Sequence, residues 1–308
     1  MKEVAKELLR TIVTKLPWGA RVAILDELIK DKGGRYVFLS QLASEFHVTE
    51  FTVNGRYGAI RGSSQDRELL RQYAENEVWA ETSNNLLGSF FAEGGGYYID
   101  IGANIGTTTI PIAQNPLVTC LALEPEPDNY SYLLSNISAN CPHGNVQTKR
   151  IAAYSSAGTI SFILSPDNKG DHRVRVTNNP GQFQEESWKT IEIETDTLDV
   201  IAKDILGPLV VKIDTQGAEG HVIQGGRKTL SRANMIIMEY WPYGIARMKS
   251  DPNMILDFLR QNFTRASIIR AGNSPESEYM SINDACAYLE QLSPEKKYQH
   301  VDLVVRRE

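Results

Sequence analysis

Cysteine is scarce in this chain: Cys120, Cys141 and Cys286 are the only three in 308 residues, widely separated and with no C-x-x-C pair. That spacing offers neither a zinc knuckle nor a dithiol redox centre, and an odd count argues against a disulfide framework. No stretch approaches the roughly 18 consecutive apolar residues that a membrane-spanning helix needs. No charged-then-apolar signal pattern precedes the first helical segment, so the expected location is the cytoplasm. Basic residues are short as well, with 32 Lys and Arg against 38 Asp and Glu and a net charge of -6. A broad phosphate-binding face needs the opposite balance, so nucleic acid is not the expected substrate. Also missing is a G-x-G-x-x-G loop, whose bare amides would receive a pyrophosphate at a helix start.

What stands in its place is more informative. Tyr97 to Ile101 reads as an apolar strand carrying Asp100 near its end, and the turn that follows is Gly102-Ala103-Asn104-Ile105-Gly106. About 20 residues further on, the apolar run Leu117 to Leu123 closes on Glu124-Pro125. Two adjacent parallel strands would set Asp100 and Glu124 at the carboxyl edge of a sheet, where open α/β folds bind ligands. Gly102 and Gly106 free the backbone to approach a ligand closely, and Glu124 is placed to accept from a ribose diol. Asp100 would repel a pyrophosphate but suits an ammonium group. S-adenosylmethionine, with its amino-acid tail, sulfonium and ribose, therefore fits this pair of acids better than a nicotinamide dinucleotide. Asn104 either contacts the cofactor or caps the helix after the turn.

The chain divides, on this reading, into a helical and β-hairpin cap over residues 1–84 and an α/β domain over 85–308 with an insertion near 155–195. Val4, Leu8, Leu9, Ile12 and Val13 recur at helical spacing, and Val22 to Ile29 continues the pattern. This stripe would pack on its own domain or across a homodimer. Val48–Val53 and Tyr57–Ile60 read as a hairpin around Asn54-Gly55-Arg56, and Arg67–Thr82 as a helix. Core strands are expected near 97–101, 117–123, 145–151, 208–214, 235–240, 265–270 and 300–306. Helical stretches alternate with them, which predicts a parallel sheet with crossover helices. Thr159–Leu164 and Thr190–Glu194 alternate apolar and polar residues and predict an antiparallel insertion. Their link, Ser165–Lys189, holds Asp171, His172, Arg173 and Trp188, and is either a substrate-covering loop or simply mobile.

Three blocks together resemble the FkbM-type methyltransferases: Asp100 to Gly106; Leu123-Glu124-Pro125 followed by Asn136 and Asn140; and Val211-Lys212-Ile213-Asp214-Thr215-Gln216-Gly217-Ala218-Glu219. Met238-Glu239, ending the next strand, fits the same spacing, and the resemblance covers roughly residues 85–245. It implies S-adenosylmethionine-dependent O-methylation of a small hydroxylated acceptor, a sugar or secondary metabolite. It also implies a class I, Rossmann-like sheet of seven mostly parallel strands whose last, His300 to Val305, runs antiparallel. Where the family usually has Val-Glu-Gly this chain has Thr215-Gln216-Gly217. A missing catalytic acid would leave a cofactor-binding partner or regulatory protein; a missing hydrogen-bonding group would be replaced by the amide.

Methyl transfer needs an oxygen aligned with the methyl and a base for its proton. Asp214 and Glu239, ending adjacent central strands, are the best-placed carboxylates, either as base and hydroxyl orienter or as ligands of Mg²⁺. No dense Asp/Asn cluster accompanies them, which favours the metal-free version. His172 on the insertion is a further candidate base or acceptor contact, with Arg173 beside it. His221, early in a helix, is another, with capping or a surface position as its alternative. Ala152 and Ala153 leave room for an adenine ring. Trp241 and Tyr243 would stack on a sugar or pack in the core.

Overall fold

The computed structural model describes residues 17, 19–20, 32–92, 94–166, 168–269 and 279–307. The expected N-terminal helical stripes at Val4–Val13 and Val22–Ile29 lie outside them. Glu50–Gly55 (β1) and Gly58–Ser63 (β2) form the expected hairpin, but it turns over Arg56 and Tyr57, because Asn54 and Gly55 are themselves paired, with Ala59 and Gly58. Gly55 serves packing: a Cβ there would lie 2.5 Å from both the Tyr73 ring and the Glu77 carbonyl oxygen. The expected helix Arg67–Thr82 is two, Leu69–Asn76 and Glu81–Phe91, broken where Glu77 and Ala80 take φ of 62° and 50°.

The second of these helices spans the expected domain boundary at 84/85, and the described residues on its N-terminal side share a core with the main sheet. Ile60, Leu70, Tyr73, Leu87 and Phe91 pack in one cluster with Tyr98, Val118, Val210 and Ile237 of the main sheet. Asn136 receives the Arg61 N–H at 2.8 Å and donates to the carbonyls of Arg61 and Ile105, while Asn140 donates to that of Ala59. These asparagines of the signature block clamp the hairpin onto the domain.

The core strands are Gly96–Ile101 (β3), Val118–Leu123 (β4), Val146–Lys149 (β5), and, after the insertion, Leu209–Ile213 (β10), Met235–Tyr240 (β11), Arg265–Ile269 (β12), Met280–Ser281 (β13) and Val301–Arg306 (β14). They lie in the order β13-β12-β14-β11-β10-β3-β4-β5. The run from β11 to β5 is parallel, and β14 is antiparallel to both β11 and β12. All five residues of β10 are buried, as expected of a central strand covered on both faces. The expected seven strands are thus present, with the two-residue β13 as an added edge. The insertion supplies Ala152–Ala153 (β6), Gly158–Leu164 (β7), Arg173–Val174 (β8) and Lys189–Asp196 (β9) as a four-stranded sheet in the order β6-β9-β7-β8. The expected strand 145–151 therefore stops at Lys149, and Ala152–Ala153 pairs with Thr195–Asp196 instead. No helix among the described residues is long and apolar enough to cross a membrane.

Candidate active site

Parallel strands deliver their carboxyl ends to one edge, and a cavity of about 850 Å³ opens there. Its wall includes Glu124 beyond β4, Asp214 beyond β10 and Glu239 on β11, with residues of the insertion facing them. The two acids expected on the cofactor side behave differently. Glu124 lies in the wall, and its carboxylate accepts the backbone N–H groups of Asn104 and Glu126, each at 2.9 Å. Burial, only partly offset by those amides, pushes it up to about 8. Asp100 is fully buried and is not part of the wall; its Oδ2 takes the hydroxyls of Thr108 and Thr109 at 2.7 Å each, and Lys212 Nζ stands 3.7 Å from Oδ1. The expected direct contact of Asp100 with an ammonium is corrected: Asp100 faces the side of β3 that the helix after the turn covers.

The two glycines differ: Gly102 lines the cavity, where backbone can approach a ligand, and Gly106 does not. Gly102, at φ 82°, is compact because a Cβ would sit 2.0 Å from the Asp214 carbonyl oxygen. Its freedom lets two strand ends approach each other. Gly106, at φ 95°, packs under Leu133 and Ile110, away from the cavity wall. Asn104 is in the wall with φ 50°, and it caps no helix, since the next begins at Thr109. Its Nδ2 donates to the Lys169 carbonyl at 3.0 Å, a carbonyl that Asn129 Nδ2 reaches at the same distance. Asn104 Oδ1 is buried without a partner. Pro125, Ala152 and Ala153 line the same end of the cavity.

At the other end, Gln216 joins the expected catalytic pair. Its amide donates to Asp214 Oδ1 at 3.0 Å and to Glu239 Oε2 at 3.3 Å from a left-handed backbone position, φ 54°. Buried Glu219 holds that loop, accepting the N–H groups of Thr215 and Gly217 and the Thr215 hydroxyl. Burial raises Glu239 well above the usual carboxylate range, and the charges of Asp214, Glu219, Asp302 and Asp171 add to it. Lys212 Nζ donates to Asp214 Oδ2 at 3.1 Å. Burial disfavours its charge, but Asp214 and Asp100 outweigh that and hold the ammonium above its ordinary range.

Two members of this cluster were not singled out from sequence. Lys212 is a lone charge in the apolar strand Leu209–Ile213, two residues before Asp214, and that isolation is a readable signal. Asp302 is opposite Glu239 in the antiparallel register and in the cavity wall. Water reaches it through the cavity, yet protein surrounds it, and desolvation with the Asp214 charge pushes it up to about 6. Only strand pairing reveals that neighbourhood. Among the described residues no three His, Cys, Asp or Glu side chains form a metal-ligand group.

The remaining expectations sort by contact. His172 is in the wall, but its Nδ1 accepts the Ser165 N–H at 2.9 Å, and burial together with Lys169 and Arg173 lowers it to about 3. The free Nε2 then carries the ring proton, so His172 is a donor and the expectation of a base is corrected. Arg173 is 1% exposed, paired with Asp171 and boxed by the rings of Phe183, Trp188 and Trp241 at 5.2, 4.9 and 4.8 Å. It supports Asp171 and lies outside the cavity wall. Tyr243 is likewise internal, its hydroxyl donating to Glu185 at 2.6 Å, whereas Trp241 does reach the wall and donates Nε1–H to the Lys297 carbonyl at 2.7 Å. His221 stacks on Tyr154 at 4.4 Å, with Nε2 3.0 Å from the Met248 carbonyl, so it is no base for this cavity.

Parallel strands β5-β4-β3-β10-β11 followed by antiparallel β14, with acids at the strand ends around one cavity, define a class I methyltransferase fold. Residues 100–265 match the sequence model of the Methyltransferase FkbM domain. The hexuronic acid methyltransferase AglP of Haloferax volcanii is 31% identical over 231 residues, which cover 73% of this chain and 83% of that protein. The chain belongs to the FkbM methyltransferase family and is a methyltransferase. Among solved structures, methyltransferase FkbM from Methylobacillus flagellatus KT aligns at 12% identity with a TM-score of 0.38, over 77% of this chain and 52% of that one. Precorrin-6y C5,15-methyltransferase from Geobacter metallireducens GS-15 aligns at 12% identity and 0.36, over 74% and 89%.

Proposed function

We propose that the cavity binds S-adenosylmethionine along the β3–β4 edge and directs methyl transfer to a sugar hydroxyl held at Asp214 and Glu239. The observation that carries this is that one cavity joins Glu124 to that pair. Strand spacing of about 4.8 Å puts Asp214 roughly 10 Å and Glu239 roughly 14 Å along the edge from Glu124, allowing one end for a ribose and the other for an acceptor. The residues fit the cofactor. Glu124 would take the ribose diol, Ala152 and Ala153 leave space for the adenine, and the unpartnered Asn104 Oδ1 is an acceptor for the ammonium. The acceptor is taken as a sugar because the Haloferax relative is named for a hexuronic acid.

When bound, S-adenosylmethionine supplies an electrophilic sulfonium methyl. Asp214, fixed by Lys212 and Gln216, orients the acceptor hydroxyl towards it. Glu239 would take the proton that the acceptor hydroxyl gives up when its oxygen receives the methyl, a role that its raised proton affinity suits. His172 Nε2 donates to a second acceptor oxygen. No metal is needed in this scheme. Gln216, the departure that raised a non-catalytic reading, supports transfer, because its amide ties both carboxylates into one array. Calorimetric titration of S-adenosylhomocysteine tests the reading. Binding by the wild type and its loss in Glu124→Ala are expected, and a wild type that binds neither S-adenosylmethionine nor S-adenosylhomocysteine overturns it.

A further inference from the structure

The acceptor end of the cavity has a wall built from outside the signature blocks. Phe183 comes from the insertion, Trp241 follows β11, and Lys297 and Tyr298 precede β14; all four line the cavity. Phe183 packs edge-on against Trp241 at 6.0 Å and Tyr298 at 5.5 Å. The insertion is fastened to the Lys297 segment by Gln182 Nε2, which donates to the Glu295 carbonyl at 3.1 Å. Tyr298 is 72% exposed, so one of its faces is open at the lip of the cavity.

Lys297 is the unusual member. It is half-buried, and its ammonium lies 4.9 Å from the Phe183 ring centre and 4.8 Å from that of Tyr298. Its hydrogen bond is to an uncharged group, the Gln182 carbonyl at 3.2 Å. Among the described residues no carboxylate pairs with it, whereas Lys212 in the same cavity faces two. A primary ammonium has three donors, so Lys297 keeps capacity for an anion. The strand-edge side of the cavity is acidic on balance, with Asp171, Asp214, Glu239 and Asp302 in its wall against Lys212, and with Arg173 behind Asp171. An acceptor carrying a negative group is repelled from that side and attracted to Lys297, which would turn its hydroxyls towards Asp214 and Glu239. The tyrosine face beside the ammonium suits the apolar face of a sugar ring.

We propose that Lys297 and Tyr298 form an acceptor subsite that anchors the carboxylate of an acidic sugar, making the enzyme selective for a uronic acid over the neutral hexose that carries a hydroxymethyl group in its place. The proposal rests on the acceptor end assigned under the proposed function, and it places a specificity determinant on a segment beyond the matched residues 100–265.

The test titrates methyl glucuronoside and methyl glucoside, a pair differing only at C6, carboxylate in one and hydroxymethyl in the other, into the full chain with and without S-adenosylhomocysteine. The wild type is expected to bind the glucuronoside about tenfold or more tightly than the glucoside, with the gap narrowing as salt rises. In Lys297→Met the gap closes while S-adenosylhomocysteine affinity stays unchanged, and Lys297→Arg keeps the gap. Equal binding of the two sugars, no binding of either, or a gap that survives Lys297→Met overturns the subsite. If Lys297→Met does not fold, the wild-type gap and its persistence in Lys297→Arg with a salt-dependent affinity decide. Failure of the cofactor reading is seen separately, as absence of S-adenosylhomocysteine binding to the wild type.

Discussion

Glu239 and Asp302 face each other across antiparallel strands, Asp214 stands at the next strand end, and one amide, that of Gln216, spans two of the three acids. Burial and these neighbouring charges raise the proton affinity of Glu239, so the proposed base has to lose a proton before it can act. The sign follows: transfer falls as pH drops through the raised range of Glu239 and is restored above it. Glu239→Gln should lower kcat by about 10²–10⁴-fold and abolish that acidic limb, as a pH–rate profile will show. Lys212 contributes the opposing charge, so Lys212→Met should move the limb to higher pH. Gln216→Glu removes a donor and adds an acid, and it is expected to move the limb the same way and reduce the rate at neutral pH. A rate gain there would show that the amide is a handicap.

At the scale of elements, the turn after β3 and the end of β10 are interlocked through Gly102. Gly102→Ala brings a Cβ to 2.0 Å from backbone oxygen that has no freedom to yield, so a loss on the order of 3 kcal/mol or more is expected in denaturant unfolding. Gly106→Ala meets the tips of Leu133 and Ile110 at 3.0 and 3.3 Å and should lose less, about 1–2 kcal/mol, chiefly from its φ of 95°. The contrast between two glycines of one motif was not legible in the sequence, because it depends on what lies across from each. The strands themselves were legible, since a buried parallel strand such as Leu209–Ile213 is nearly continuous apolar chain, and their carboxyl ends located Glu124, Asp214 and Glu239. The direction in which a side chain leaves its strand was harder to read. Asp100 and Arg173 are charged residues near the site that point into the protein, while Asp302 reaches the site only through pairing across the sheet. The hairpin turn was misplaced because Asn54-Gly55 has the composition of a turn and is used for close packing on Tyr73.

For the molecule as a whole, the site is held at a cost that pH and ligand should both reveal. Glu124 is raised to about 8 in the folded chain, above its unfolded value near 4.5, so the folded state retains a proton that the unfolded state releases. Stability from this group is therefore lost as pH rises between those values, and Glu124→Gln should gain on the wild type in thermal unfolding at pH 8 relative to pH 5. An equal difference at both pH values would show that Glu124 is ionised in the fold. The single carbonyl of Lys169 has a different kind of consequence. It is gripped by one asparagine from the turn after β3 and one from the helix after Pro125, so the insertion is latched to both shoulders of the cofactor end. On the proposed reading, a cofactor seated beneath that latch leaves only when the two asparagines let go of the carbonyl. The enzyme should run as an ordered sequence, S-adenosylmethionine entering first and its demethylated product leaving last, with that departure setting the pace of turnover.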